Sequence, residues 1–267
     1  MLAYEATIRL SVFLGLFVIL AVAERLLPKR KRQGLGLTAG RWGTNWGILI
    51  VDSLALRLVA IVIPLLAVGA AIDAGNKGWG LFNNINLPLW LEFLAVLLIF
   101  DFCIWFQHLL THKVPFLWRM HQVHHADTEM DVTTAVRFHP FEIALSMFYK
   151  VGLVYLFGPA AVAIMIYEVM LNGMALFNHS NMAIPQSVYR WLRLFVVTPD
   201  MHRVHHSVER REHDSNYGNT LALWDRLFGT YIPQPKAGHE EMPIGLRWQD
   251  KRPRNFLWTI LMPFRGT

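Results

Sequence analysis

The feature that most constrains this chain is a series of long apolar runs. Ile8 to Leu27, Trp46 to Ile72 and Leu87 to about Phe106 each supply roughly the 20 apolar residues that cross a bilayer core as a helix. The third run continues in helical pattern through His112. A fourth apolar region, Phe141 to Phe177, is interrupted by Gly158-Pro159. Proline breaks the helical hydrogen-bond ladder and glycine tolerates the turn. Two helices, about 141–157 and 160–178, are therefore expected as a hairpin returning to its starting side; the alternative is a single kinked span ending on the opposite face. The expected fold is all-α: an integral-membrane helical bundle of about three spans plus the hairpin, with a histidine-rich cap.

Composition agrees. Of 267 residues, 54% are hydrophobic and 16% charged, against about 25% charged in soluble domains. The first run has no basic stretch before it and no small-residue cleavage site, so it is expected to stay as an anchor. The net charge is +6, and much of it follows the first run: Arg25, Lys29, Arg30, Lys31, Arg32 and Arg41. That placement fits a cytoplasmic loop against anionic lipid better than a nucleic-acid surface. With this loop inside, the 73–86 linker lies outside, and the third span carries His108 and His112 to the cytosolic face. Asp52 and Arg57 are costly in lipid and should face protein or an interface. The single cysteine, Cys103, permits no intrachain disulfide and is expected to pack. Three regions result: 1–86, the first spans and basic loop; 87–235, the histidine-bearing region; and 236–267, a cytosolic tail whose Asn255–Phe264 stretch is expected in the interface.

Eight of the 12 histidines form three boxes: His108-x-x-x-His112, His121-Gln-Val-His124-His125 and His202-Arg-Val-His205-His206. Residues three and four apart share a helix face, so each box is expected to present its imidazoles together. Neutral imidazole is the commonest side-chain metal ligand. One catalytic zinc needs three protein ligands, which leaves most of these unused. Two iron ions with near-octahedral shells take roughly eight to ten. His179 and His139 are placed to extend the set. His139 is expected as a ligand, as a group holding another ring, or as a cap at the hairpin start. His213 and His239 are expected in solvated loops.

At these boxes the chain resembles the fatty acid hydroxylase/sterol desaturase superfamily: HxxxH, HxxHH, a hydrophobic hairpin, then a second HxxHH. The flanks are similar too, with Leu117-Trp118 before the second box, and Asn216-Tyr217-Gly218-Asn219 and Trp224-Asp225 after the third. The resemblance covers roughly residues 90–235. It implies a non-haem di-iron centre on the cytosolic face that oxidises a membrane lipid with O2, by hydroxylation first and desaturation second. It implies His108, His112, His121, His124, His125, His179, His202, His205 and His206 as ligands. Glu142, Asp200 and Asp101 are candidates to orient the imidazoles, as are Asp127, Glu129, Asp131 and Asp214. Asp101 sits two turns before His108, pointing to the site or pairing with Arg57; Asp225 should fix a turn.

Strong C–H bonds require a cofactor. The chain has no GxGxxG loop, no iron–sulfur cysteine pattern and no fused haem module, so a separate ferredoxin- or cytochrome-type donor is expected on the cytosolic cap. Zinc is expected to substitute for iron in some preparations. The setting would be the plasma or inner membrane of a bacterium, or the endoplasmic reticulum of a eukaryote. Two competing readings are a membrane zinc hydrolase, disfavoured by the absence of HExxH, and a metal transporter, whose ligands should lie at mid-membrane.

Overall fold

The computed structural model describes residues 2–31, 35–62, 66–248 and 250–265. Its helices are α1 (Glu5–Leu26), α2 (Leu35–Val62), α3 (Ala67–Lys77), α4 (Leu89–Lys113), α5 (Pro115–His125), α6 (Pro140–Phe157), α7 (Ala161–His179), α8 (Gln186–Phe195), α9 (Pro199–His205), α10 (Arg210–His213), α11 (Leu223–Leu227), α12 (Gly238–Glu241) and α13 (Phe256–Leu261). Among the described residues five stretches are long and apolar enough to cross a membrane: Leu2–Leu26, Gly40–Ile61, Leu89–Lys113, Pro140–Phe157 and Ala161–His179. The chain is a multi-pass integral membrane protein, with short helices carrying the polar remainder.

The hairpin forms as expected. Gly158 caps α6 in the left-handed conformation (φ 61°), and Gly80 of the linker (φ 91°) packs against its backbone. A β-carbon on Gly80 would collide with the main chain of Phe157 and Gly158, and one on Gly158 with the carbonyl oxygen of Trp79. The start of α6 and the end of α7 lie together, since Glu142 meets His121 and His179 meets His124. That excludes a single kinked span. The end of α1 arrives on the same side: Lys29 N–H donates to Asn181 O at 2.8 Å, and the Glu24 carboxylate accepts from Asn181 N–H at 3.0 Å and Val132 N–H at 3.1 Å.

The second span differs from expectation. The Trp46–Ile72 run is shared between α2, which starts earlier at Leu35, and the separate α3; Ile63–Leu65, with Pro64 at their centre, lie outside the described residues. Arg41 is not part of the basic loop. It is buried inside α2, where Nη1 donates to Asp127 at 2.7 Å and Nη2 to Asp131. Arg32 of that loop lies outside the described residues. Asp52 is buried in the protein as expected, and Arg57 is exposed on α2. Cys103 is half-buried, with its carbonyl accepting from Tyr149 Oη at 3.2 Å. At the chain's end α13 packs on α2 through Phe256 against Gly47, while Leu257 and Phe264 stay exposed.

Candidate metal centre

The first box ends α4, the second ends α5 and the third forms α9. Prolines at the first turns of α5 and α9 start these short helices. Nine histidines meet in two adjoining groups. His108, His112, His121, His125 and His205 form one, and His124, His179, His202 and His206 the other; within each, one nitrogen per ring lies within 4.8 Å of the rest.

This partition corrects the expectation that each box presents a single face. Neighbouring helical residues point about 100° apart, so His124 and His125 serve different groups, as do His205 and His206. The pairs four apart stay together: His108 with His112, His121 with His125, and His202 with His206. An HxxHH box is thus a device for supplying two adjacent sites from one turn of helix.

The ring tautomers follow from the outward contacts. Nδ1–H of His108 donates to Tyr217 O at 2.7 Å, of His179 to Ala175 O at 2.7 Å, of His205 to Ser215 O at 2.7 Å and of His124 to Arg137 O at 3.2 Å. His121 Nδ1–H donates to the Glu142 carboxylate at 2.6 Å. Each Nε2 therefore carries a lone pair. Yet His108 and His121 Nε2 stand 3.2 Å apart, and His124 and His179 Nε2 3.0 Å apart, with no proton between them. His202 Nε2 is also 3.0 Å from that of His179. Two nitrogens bound at right angles to an ion at about 2.1 Å stand about 3.0 Å apart. Among the described residues, both ring nitrogens of His112, His125 and His206 are buried without a hydrogen-bond partner, a cost that a cation bound to the lone-pair nitrogen of each ring would offset. The residues fit a pair of metal ions. Burial, reinforced by the neighbouring imidazoles, pushes His124, His125, His202, His205 and His206 well below the ordinary histidine pKa. They are held in the neutral form a metal requires.

The remaining candidates divide. Glu142 touches the centre through His121. Asp214 Oδ1 lies 3.8 Å from His112 Nδ1 and also pairs with Lys113. Asp200 is taken by Arg203 at 2.5 Å and meets no box ring directly. Asp101 pairs not with Arg57 but with Leu221 N–H and Trp224 Nε1–H, both at 3.0 Å, pinning the segment after the third box to α4. Asp225 does fix a turn, accepting from Tyr217 N–H, Gly218 N–H, Thr230 Oγ1–H and Trp105 Nε1–H at 2.6–3.0 Å. That turn aims Tyr217 O at His108. Asp127 and Asp131 bind Arg41, and Glu129 lies 3.5 Å from Arg254.

His139 joins neither group. Its Nδ1 accepts from Phe141 N–H at 3.2 Å as the N-cap of α6, and its Nε2 donates to Ile260 O at 3.1 Å. His213 is not a solvated loop residue. It packs on His112, His125 and Trp118 at 4.5–4.8 Å between ring centres, and burial pushes it down to about 4. His239 is likewise buried. Sequence reasoning missed Arg137, which is fully buried and donates to Val123 O, Asn45 Oδ1 and Pro253 O at 2.7–2.8 Å while its own carbonyl holds His124. Its signal was its place two residues before His139. A cavity of about 280 Å³ lies beside His112, lined by Trp118, His213, Asp214, Arg210, Arg247 and Trp248 among others.

Fold and site together define a multi-pass helical membrane protein with a buried two-group histidine centre. The sequence profile of the Fatty acid hydroxylase family matches residues 93–230, just over half of the chain, and the chain belongs to that family. It is 31% identical over 237 residues to an alkylglycerol monooxygenase of Xenopus tropicalis, covering 86% of this chain and 47% of that one. It is 28% identical over 263 residues to the ornithine lipid hydroxylase OlsE of Rhizobium tropici, covering 95% and 74%. To a cholesterol 25-hydroxylase-like protein of Danio rerio it is 30% identical over 139 residues, covering 51% and 53%. The chain thus spans about half the length of the alkylglycerol monooxygenase it matches. No solved structure matches it.

Proposed function

We propose that this protein is a di-iron, O2-dependent hydroxylase of a membrane lipid. One observation carries the reading: nine imidazoles, eight of them buried, converge in groups of five and four where the spanning helices end, with facing nitrogens as close as 3.0–3.2 Å. Iron is favoured over zinc because two adjoining, imidazole-rich groups offer more ligands than zinc's tetrahedral shell uses. Hydroxylation is favoured over desaturation because the relatives bear monooxygenase and hydroxylase names.

When bound, the iron pair supplies reductive activation of O2 for attack on an unactivated C–H bond. The chain's own residues bind, orient and shield. His108, His112, His121, His125 and His205 would hold one ion, and His124, His179, His202 and His206 the other. Glu142 fixes the His121 ring and raises its basicity, and Tyr217, Arg137, Ala175 and Ser215 carbonyls do the same for their rings. Burial of the rings keeps bulk water out. The basic residues after α1, on the same side as the histidines, support a cytosolic centre. A separate electron donor would approach the cavity beside His112, where Arg210 and Arg247 give a basic rim.

The test uses His124→Ala and His125→Ala in protein reconstituted in lipid nanodiscs. Each should lower bound iron per chain and abolish iron-dependent O2 uptake with a reduced donor. Full iron content and uptake in both variants would overturn the assignment.

A further inference from the structure

Two short helices flank the third histidine box, and among the described residues neither has its apolar face covered by protein. On α8, Val188, Trp191 and Phe195 recur at spacings of three and four and form one outward stripe, with Leu194 beside it; Trp191 is 59% and Phe195 69% exposed. Tyr189 on the opposite face is buried, and Arg193 there is bound to Tyr231. On α11 and the residue after it, Leu223, Leu227 (64% exposed) and Phe228 are outward. The two helices are joined into one piece. Ala222 N–H donates to Phe195 O and Val197 N–H to Thr220 O, both at 3.0 Å, and Arg226 bonds Ala222 O and Arg193 O.

Two separate contacts set the level of this piece. The Phe228 ring stacks on Trp105 of α4 and lies tilted against Phe102, at 4.8 and 5.8 Å between centres, just before the polar Gln107 and His108 of that helix. At the other end, α8 starts seven residues after α7 finishes, and the intervening Met182 bridges to Pro28 at the exit of α1. The stripe is thus continuous with the membrane-spanning surface and lies at the height where α1, α4 and α7 leave it. A helix with one apolar face and flanking arginine, Arg190 here, suits the boundary between headgroups and acyl chains.

We infer that α8 and α11 form an in-plane foot seated in the lipid leaflet nearest the histidine centre. The occupant of the face is that leaflet. The foot brackets the third box: α9 begins four residues after Phe195, and the turn that holds His108 through Tyr217 precedes Leu223. Seating in lipid therefore sets where His202, His205 and His206 stand relative to the boxes on α4 and α5. The inference rests on the spanning helices and not on the reaction proposed above.

The test is a depth measurement. In a Cys103→Ser background, single cysteines at Trp191→Cys and Leu227→Cys carry a nitroxide, with protein in phosphatidylcholine nanodiscs. Gln234→Cys, on an exposed loop, is the aqueous reference, and Leu98→Cys, exposed within α4, the lipid reference. Labels at 191 and 227 should collide with O2 in preference to a nickel chelate, as at 98. Accessibility to nickel as at 234 would overturn the inference. So would shielding from both reagents with spin–spin broadening, which would place a second copy of the chain on this face. The readout is independent of turnover, so an inactive preparation leaves it decisive.

Discussion

Replacing Glu142 isolates the role of a group that touches the centre without belonging to it. Its carboxylate accepts from His121 Nδ1–H at 2.6 Å, with His121 buried and Glu142 nearly so. A short bond to an ionised acceptor is about twice as strong as a neutral one, and loss of such a partner typically costs 10- to 100-fold in metal affinity. That is about 1.4–2.7 kcal/mol. Glu142→Gln keeps the shape and an acceptor oxygen, so it should fall near the lower bound. Glu142→Ala leaves Nδ1–H buried with no acceptor and should fall near the upper. Iron affinity is read by competition with a chelator, with thermal unfolding as the control for folding. If Glu142→Ala binds iron as tightly as the wild type while folded, the account of how His121 is oriented is wrong.

Three further outcomes are expected. Arg41→Met removes the cation shared by the buried carboxylates of Asp127 and Asp131, and should destabilise the fold by about 3–5 kcal/mol in denaturant melts; no loss would show that the network is not structural. His139→Asn should retain full metal content, because the residue caps α6, whereas His139→Ala should cost about 0.5–2 kcal/mol of stability and still bind metal; metal loss in both would make it a ligand. His239, pushed down to about 4 chiefly by burial, stays neutral in the native state, so as pH falls from about 6.5 toward 4 only the unfolded chain takes up its proton and stability declines. His239→Gln should flatten Tm against pH across that window, and an unchanged slope would refute the assignment.

The bundle and the three boxes were legible because both are local signals: runs of apolar residues, and histidines on one turn of helix. The hairpin was legible because Gly158-Pro159 interrupts an otherwise continuous run. What could not be read was tertiary. That His124 parts from His125 follows from helix geometry, but which group each joins depends on how α5 and α9 approach. Arg41 looked like part of a basic loop, because nothing in its neighbourhood reveals Asp127 and Asp131, which are 86 and 90 residues away. For the same reason the sequence left His139 open among ligand, ring-holding and capping roles, of which it takes the cap, and placed His213 in a solvated loop. The first lies beside a box partner, Glu142, yet caps a helix; the second follows a charged stretch yet packs against His112 and His125.

The central claim is that an iron pair in the two histidine groups inserts oxygen into a lipid. It is tested most directly by supplying iron-loaded protein in native-lipid nanodiscs with a reduced donor under 18O2, and analysing the lipids by mass spectrometry. The account predicts one lipid class that gains a single oxygen atom carrying the 18O label, and none of it in protein lacking His124 and His125. A product that has lost two hydrogens, a product labelled from water, or an unchanged lipid profile with both metal groups filled would contradict it.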